Sequence, residues 1–94
     1  MSDVKFFPAP WVVVDKVGYA EVKSHNDDVC SVYGMCSTTK GEQITCDDTL
    51  ANAYLISAAP DMYNLLKTIQ IEGGLSQARH RQVDRAMSKA RGEV

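Results

Sequence analysis

Three cysteines and one histidine form the densest group of potentially reactive side chains in this 94-residue sequence. Four, five and nine residues separate the successive members His25, Cys30, Cys36 and Cys46. Thiolates and imidazoles are ligands of tetrahedral zinc, but structural zinc sites usually take two ligands from one tight Cys-x2–4-Cys turn. That turn is missing here. We therefore expect buried or incidental thiols, and we predict neither a metal nor a cofactor.

The same cysteines raise the questions of nucleophilic catalysis and of redox state. A Cys–His pair needs a third group to orient the histidine, and the sequence indicates none near His25 or His80. The N-terminal segment lacks the basic and apolar regions of a secretory signal. No uninterrupted apolar run is longer than the four residues of Trp11–Val14, far fewer than the roughly 20 residues of a membrane span. We expect a cytoplasmic protein, not inserted in a membrane, whose three thiols stay reduced.

Other catalytic signatures are absent from the sequence. It contains no phosphate-binding or dinucleotide-binding glycine loop, no H-E-x-x-H zinc motif and no G-x-S-x-G nucleophile motif. The acidic pairs Asp27–Asp28 and Asp47–Asp48 have the groups for metal binding or acid–base catalysis. Acids in turns and at helix starts are, however, normally explained by capping and solvation. We predict no catalytic residues and no enzymatic activity.

Basic residues are concentrated at the C-terminal end of the chain. Up to Glu72 the formal charge is −5, and after it five basic and two acidic residues give +3. Arg81, Arg85 and Lys89 recur every four residues, which places them along one side of a helix. Such a row can be a solvated helix face, or it can contact phosphate or an acidic protein surface. We predict these three residues as one candidate partner-binding surface.

Two tyrosines supply the second candidate surface. Tyr19 and Tyr33 lie in two predicted strands, each on the face that also carries polar side chains. The alternative interpretation is that both belong to the core, since a protein of this size needs most of its aromatic residues there. Tyrosine is enriched in binding hot spots. We therefore predict Tyr19 and Tyr33 as partner-binding residues.

The first half of the chain, residues 1–46, predicts mainly β structure. β-branched residues, and the alternation of Ala20 and Val22 with polar neighbours, are typical of half-buried strands. We expect an antiparallel meander of three or four strands. Strands are predicted at Trp11–Val14, Tyr19–Lys23, Val29–Tyr33 and Gln43–Cys46. Turns are predicted at Asp15–Gly18 and Ser24–Asp28, and a loop at Gly34–Gly41.

The second half, residues 47–94, predicts mainly helix. Apolar residues recur at helical spacing on both sides of Pro60, which is tolerated only in the first turn of a helix. This pattern indicates helices at about 48–58 and 60–72 that meet at a bend. Asp47 or Asp48 is expected to cap the first helix, and Gly73–Gly74 to end the second. Leu75–Arg91 is predicted as a third helix with an alanine-rich apolar face.

Together these elements predict one α+β domain over residues 1–94. A small N-terminal antiparallel sheet of three to four strands is expected to be packed by two to three C-terminal helices. The segment Ala51–Tyr63, ANAYLISAAPDMY, resembles the "NA-x-LI-x-AAP-D/E" helix of many small phage and prophage proteins of uncharacterised function. Those proteins often carry a Pro-Trp pair near the N-terminus, and Pro10–Trp11 fits that pattern. No catalytic or ligand residues come with the motif.

The resemblance implies a virus-encoded accessory protein in the cytoplasm of a bacterial host. Such proteins commonly dock on a host machine. The implied function is therefore non-enzymatic: binding and inhibition of a host protein or ribonucleoprotein complex, most specifically a defence system, as an anti-CRISPR protein does. Two alternatives stay open. The arginine-rich helix could bind nucleic acid in a small regulator, or its alanine-rich face could pack on a second copy in a homo-dimer or structural oligomer.

Overall fold

The computed structural model describes residues 6–93, and it confirms the α+β class. The chain divides into two compact units, residues 7–60 and residues 61–93 with Phe6. The first unit contains β1 (Trp11–Asp15), β2 (Tyr19–Ser24), β3 (Asp27–Tyr33), β4 (Met35–Ser37), β5 (Gln43–Thr45) and α1 (Asp47–Ser57). The second consists of α2 (Ala59–Glu72), which begins at the boundary, and α3 (Gln77–Ala90).

The main sheet is antiparallel, in the order β1-β2-β3. The predicted alternation in β2 is confirmed, because Ala20, Val22 and Ser24 are fully buried while the residues between them are partly exposed. Helix α1 covers this inner face and buries Ala53 completely. The hydroxyl of Ser24 donates to the carbonyl of Pro8 at 2.6 Å, so the buried polar group has a partner. The core of the first unit therefore lies between one sheet face and one helix.

A bulge interrupts the pairing of β2 with β3. Val22 pairs with Cys30, but the next residue, Lys23, pairs with Asp28, so Val29 is an extra residue in β3. As a result Asp28 stays on the outer face, 3.4 Å from the ammonium group of Lys23. Cys30, two positions later, packs against the core on the inner face.

The predicted loop at Gly34–Gly41 is partly wrong, because β4 lies within it. Strand β4 pairs with β5 in a separate two-stranded sheet, in which Cys36 lies opposite Ile44. Gly34 joins the two sheets: its N–H donates to the carbonyl of Gly18 at 3.1 Å, and its carbonyl accepts from the N–H of Cys46 at 3.0 Å. All three residues of β4 are exposed, so it has no buried and exposed alternation that sequence reasoning could detect.

Both turns of the main sheet contain a residue in the left-handed region. His25 (φ 56°) lies in the two-residue turn between β2 and β3. In the turn between β1 and β2, Gly18 (φ 98°) confirms the predicted need for glycine, and it follows Val17 at φ 60°. A β-branched residue is strained in this region, so the Val17 turn needs support from surrounding contacts.

The helices begin and end within two residues of the predicted positions. Pro60 is the second residue of α2, as expected, and Gly73 (φ 82°) ends that helix. The predicted cap of α1 is wrong. Asp47 and Asp48 cannot be the cap because they already lie in the first helical turn. Cys46 is the N-cap instead, and its side chain makes no capping hydrogen bond. The charges of Asp47 and Asp48 still favour the positive end of the helix dipole.

The apolar side of α3 is narrower than predicted. Met87 is buried and Val83 half-buried, whereas Ala78, Ala86 and Ala90 are exposed. The alanines are therefore accessible, and their packing on a second copy stays a prediction. None of the helices within residues 6–93 has both the length and the apolar character that crossing a membrane requires.

Candidate binding surfaces

The second unit carries the predicted row of basic residues. Arg81, Arg85 and Lys89, here called the basic stripe, are all exposed. At about 100° per residue they lie on the side of α3 opposite Val83 and Met87, with about 6 Å of helix rise between neighbours. The structure therefore brings the three predicted residues together in one solvent-facing row.

The residues of the basic stripe form no described ion pair, although Asp84 lies three positions after Arg81; its carboxylate accepts from Gln70 instead. Within residues 6–93 no ion pair or side-chain hydrogen bond involves any of the three. Like charges four residues apart destabilise a helix by about 0.2–0.5 kcal/mol per pair. The first turn of α3 also contains no acidic residue, although a helix N-terminus favours one. This arrangement is unfavourable for an isolated helix and favourable for contact with an anion.

Arg91, in the same unit, has a structural role that contrasts with the basic stripe. Its guanidinium donates to the hydroxyl of the buried Tyr63 at 2.7 Å and to the carboxylate of Glu93 at 3.0 Å. The carboxylate of Glu93, and then the hydroxyl of Tyr63, raise the pKa of Arg91. The rings of Tyr63 and Phe6 also form a T-shaped pair, with centroids 5.2 Å apart and planes at 82°. Arg91 thus joins the ends of the helical hairpin, which the basic stripe does not.

The outer face of the main sheet carries the predicted tyrosines. Tyr19 and Tyr33 lie opposite each other in β2 and β3, and their rings stack with centroids 5.4 Å apart and planes at 27°. Tyr33 is 75% exposed, which makes it accessible to a partner and argues against the core interpretation. Ion pairs on this side neutralise most of its charge, such as Lys16–Glu21 at 3.8 Å. This face therefore offers apolar and aromatic contact rather than net charge.

A hydrogen-bond network that extends from the buried Thr45 hydroxyl to the exposed Asp15 carboxylate supports the turn that precedes Tyr19. The hydroxyl of Thr45 accepts from the N–H of Gly18 at 2.8 Å and donates to the carboxylate of Asp15 at 2.6 Å. The same carboxylate oxygen accepts from the N–H of Val17 at 3.0 Å. The Thr45 hydroxyl, and then the Val17 N–H, hold the pKa of Asp15 below its usual value. Sequence reasoning missed Thr45, because its role depends on where the second sheet lies.

The cysteine and histidine group is not brought together as a zinc site. Cys36 and Cys46 form a disulfide with Cα atoms 5.1 Å apart, so the expectation of three reduced thiols is wrong for this pair. Pairing of Cys36 with Ile44 places Cys46 diagonally across the hairpin, within reach of a disulfide. Cys30 is half-buried at the core and His25 is exposed in its turn. In the described part of the chain no three His, Cys, Asp or Glu residues cluster as metal ligands would.

The comparison with known protein families uses the whole sequence and does not depend on either candidate surface. The family model described as Salmonella phage P22 protein Y8K6 matches residues 1–94. No curated protein and no solved structure gives a match. The family description does not refer to the helix motif at Ala51–Tyr63, so that resemblance stays a prediction. Because the match extends over all 94 residues, this is a phage protein and belongs to the Salmonella phage P22 protein Y8K6 family.

Proposed function

We propose that this phage protein is a non-enzymatic binding protein that docks on a host macromolecular complex in the bacterial cytoplasm and inhibits it. A defence complex, the target of anti-CRISPR proteins, is the most specific form of the proposal. The basic stripe is the observation that supports docking: three exposed cations lie four residues apart, and none of them forms an ion pair within residues 6–93. An anionic partner would convert their mutual repulsion into charge-assisted contacts.

The charge of the rest of the molecule favours an acidic protein surface over nucleic acid as that partner. Residues 7–60 contain three lysines and seven acidic residues, a formal charge of −4, and the sequence pI is about 5.5. Non-specific phosphate binding usually involves a basic domain with many phosphate contacts. A small positive stripe on an acidic protein suits a defined negative patch instead.

The stacked tyrosines are the alternative contact surface for the same proposal. Tyr33 is largely exposed, yet stacking on Tyr19 restricts its ring. A restricted aromatic side chain contributes contact area at a low cost in conformational entropy, which is why tyrosine recurs in binding hot spots. If the basic stripe makes the contact, we expect it to accelerate association, and if the tyrosine pair makes it, we expect that pair to slow dissociation.

Capture from a bacterial lysate, with and without nuclease, tests the proposal. The double variant Arg81→Glu/Arg85→Glu is expected to lose at least about 90% of the captured complex, because charge reversal turns attraction into repulsion. Arg79→Glu is the matched control. Arg79 is exposed on the same helix but lies off the stripe and donates to Gln82 at 2.8 Å. It should retain capture, and neither variant should have a melting temperature more than about 4 °C below that of the native chain.

Each outcome of the capture has one meaning. Undiminished capture by the double variant would exclude the basic stripe as the docking surface. A partner that disappears after nuclease treatment, with affinity falling steeply with salt, would favour the nucleic-acid alternative.

Inhibition is tested by adding the purified protein to the captured complex. Full activity of the complex at saturating protein would contradict an inhibitory function.

A further inference from the structure

The disulfide lies at a point where a small hairpin meets the turn before the stacked tyrosines. Strands β4 and β5 contribute only three residue pairs. Cys36 is exposed, and Cys46 is half-buried directly after β5, as the N-cap of α1. A helix N-terminus favours a thiolate, although the neighbouring Asp47 and Asp48 oppose it. Cys36 is thus accessible to small molecules, and its Cα atom lies 5.1 Å from that of Cys46, close enough for the two sulfur atoms to form a disulfide.

Two sets of hydrogen bonds connect this hairpin to the first turn of the main sheet. Thr45, the residue before Cys46, contacts Gly18 and Asp15 through its hydroxyl. The N–H of Cys46 donates to Gly34, and the N–H of Gly34 donates to Gly18. Both sets therefore end at the residue that precedes Tyr19. They support a turn in which Val17 has φ 60°.

We propose that Cys36 and Cys46 are a reversible thiol–disulfide couple, closed by a small disulfide of the glutathione type, and that closure orders the Val17–Gly18 turn and the stacked tyrosines. With the disulfide closed, β5 holds Thr45 in contact with the turn. With both thiols reduced, three residue pairs and the hydrogen bonds between Thr38 and Glu42 hold the hairpin. Thr45 then separates from Gly18 more often, and the strained turn relaxes.

The exchange balances without any further reactant. The thiolate of Cys36 attacks one sulfur of glutathione disulfide, a mixed disulfide forms, and one glutathione thiolate leaves. The thiolate of Cys46 then attacks the Cys36 sulfur and releases the second glutathione thiolate. The two protons lost from the cysteines are taken up by the two glutathione thiolates. One protein disulfide is formed by oxidation, and one glutathione disulfide is reduced to two thiols.

The third cysteine supplies an internal control. Cys30 packs among the core residues of the main sheet on the face covered by α1, and it is not part of the couple. Cys30→Ala should therefore keep the redox transition, whereas Cys36→Ser should abolish it.

The experiment equilibrates the full chain in a series of reduced and oxidised glutathione mixtures. Alkylation and mass spectrometry then count the free thiols, with one expected under oxidising and three under reducing conditions. Amide hydrogen exchange of Val17 and Gly18 is expected to accelerate about tenfold on reduction, because the turn opens more often. Reduction should also raise the pKa of Asp15 toward the usual value for a carboxyl, since the hydroxyl of Thr45 no longer donates to it.

Three results would overturn the proposal. Three free thiols at every glutathione ratio would show that the couple does not close, and one free thiol at every ratio would show that it does not open. A redox transition that leaves the exchange of Val17 and Gly18 unchanged would show that closure does not order the turn. Native chain that is reduced and blocked with iodoacetamide gives the same comparison without relying on the folding of Cys36→Ser.

Discussion

The two units of this phage protein hold their residues in place by different means. In residues 7–60 an apolar core of Ala20, Val22 and Ala53 is fully buried, and a disulfide and the buried Thr45 hydroxyl add to it. In the helical hairpin of residues 61–93 only Tyr63 and Met87 are buried. Most of its described side-chain contacts are polar and lie at the surface. Surface pairs of this kind contribute about 1 kcal/mol or less each.

This difference extends to charge. The sheet unit has a formal charge of −4, and two described ion pairs, Lys16–Glu21 and Lys23–Asp28, lie within it. The helical hairpin has six basic and four acidic residues, a formal charge of +2, and the basic stripe has no partner there. The residues best suited to binding through charge therefore lie in the unit with fewer buried side chains. Most of the buried packing and the unpaired positive charge therefore lie in different parts of the chain.

The largest effect is expected for Gly34→Ala in the sheet unit. A Cβ atom at this position would collide with the hydroxyl of Thr49 in α1. We expect a loss of about 3 kcal/mol in the free energy of unfolding, measured by urea titration, because both neighbouring segments are held by hydrogen bonds. The control is Gly41→Ala, at φ 82° with open space around it, which should lose about 1 kcal/mol. Equal losses would contradict a packing constraint at Gly34.

A somewhat smaller effect is expected for Met87→Ala in the helical hairpin. Met87 is only 4% exposed, so the truncation leaves a cavity and should cost about 2–3 kcal/mol. Leu65 in α2 is 59% exposed, and Leu65→Ala should cost less than about 1 kcal/mol. Loss of helical circular dichroism on heating measures both. Similar losses for the two variants would mean that buried contacts do not decide the stability of this unit.

The smallest effect, and one of opposite sign, is expected for Arg79→Glu. Ser76 caps α3 by accepting from the N–H of Arg79 at 3.2 Å, and residue 79 is where a glutamate would complete a capping box. Replacing a cation with an anion also favours the helix dipole. We expect a gain of about 0.5 kcal/mol, measured by urea unfolding. A loss of stability would show that the bond between Arg79 and Gln82 outweighs the dipole.

Local patterns predicted much of the fold. The alternation around Ala20 and Val22 and the position of Pro60 located a strand and a helix junction correctly, because these signals depend on neighbouring residues alone. The pairing of Cys36 with Cys46 and the role of Thr45 were not predictable in the same way. Both depend on the register of β4 with β5. The sequence of β4 has no pattern of buried and exposed residues that could predict this register, because all three of its residues are exposed.

The sequence predicted which residues lie on each candidate surface, but it did not predict which other residues they contact. Helical spacing placed Arg81, Arg85 and Lys89 in one row, and the structure adds that no acidic residue pairs with them among residues 6–93. Alternation placed Tyr19 and Tyr33 on polar faces, but their stacking required the register of β2 with β3. Spacing within one element can be read from sequence, whereas contacts between elements depend on tertiary structure.

The bulge at Val29 has a consequence for how this family can vary in length. Removing Val29 would leave Lys23 opposite Asp28 and Val22 opposite Cys30 in an uninterrupted ladder. Removing any residue from Ser31 to Tyr33 would instead exchange the inward and outward sides of the residues around it. We therefore expect relatives that are one residue shorter in β3 to show their alignment gap at Val29. At that position a deletion keeps both the buried row and the tyrosine pair in register.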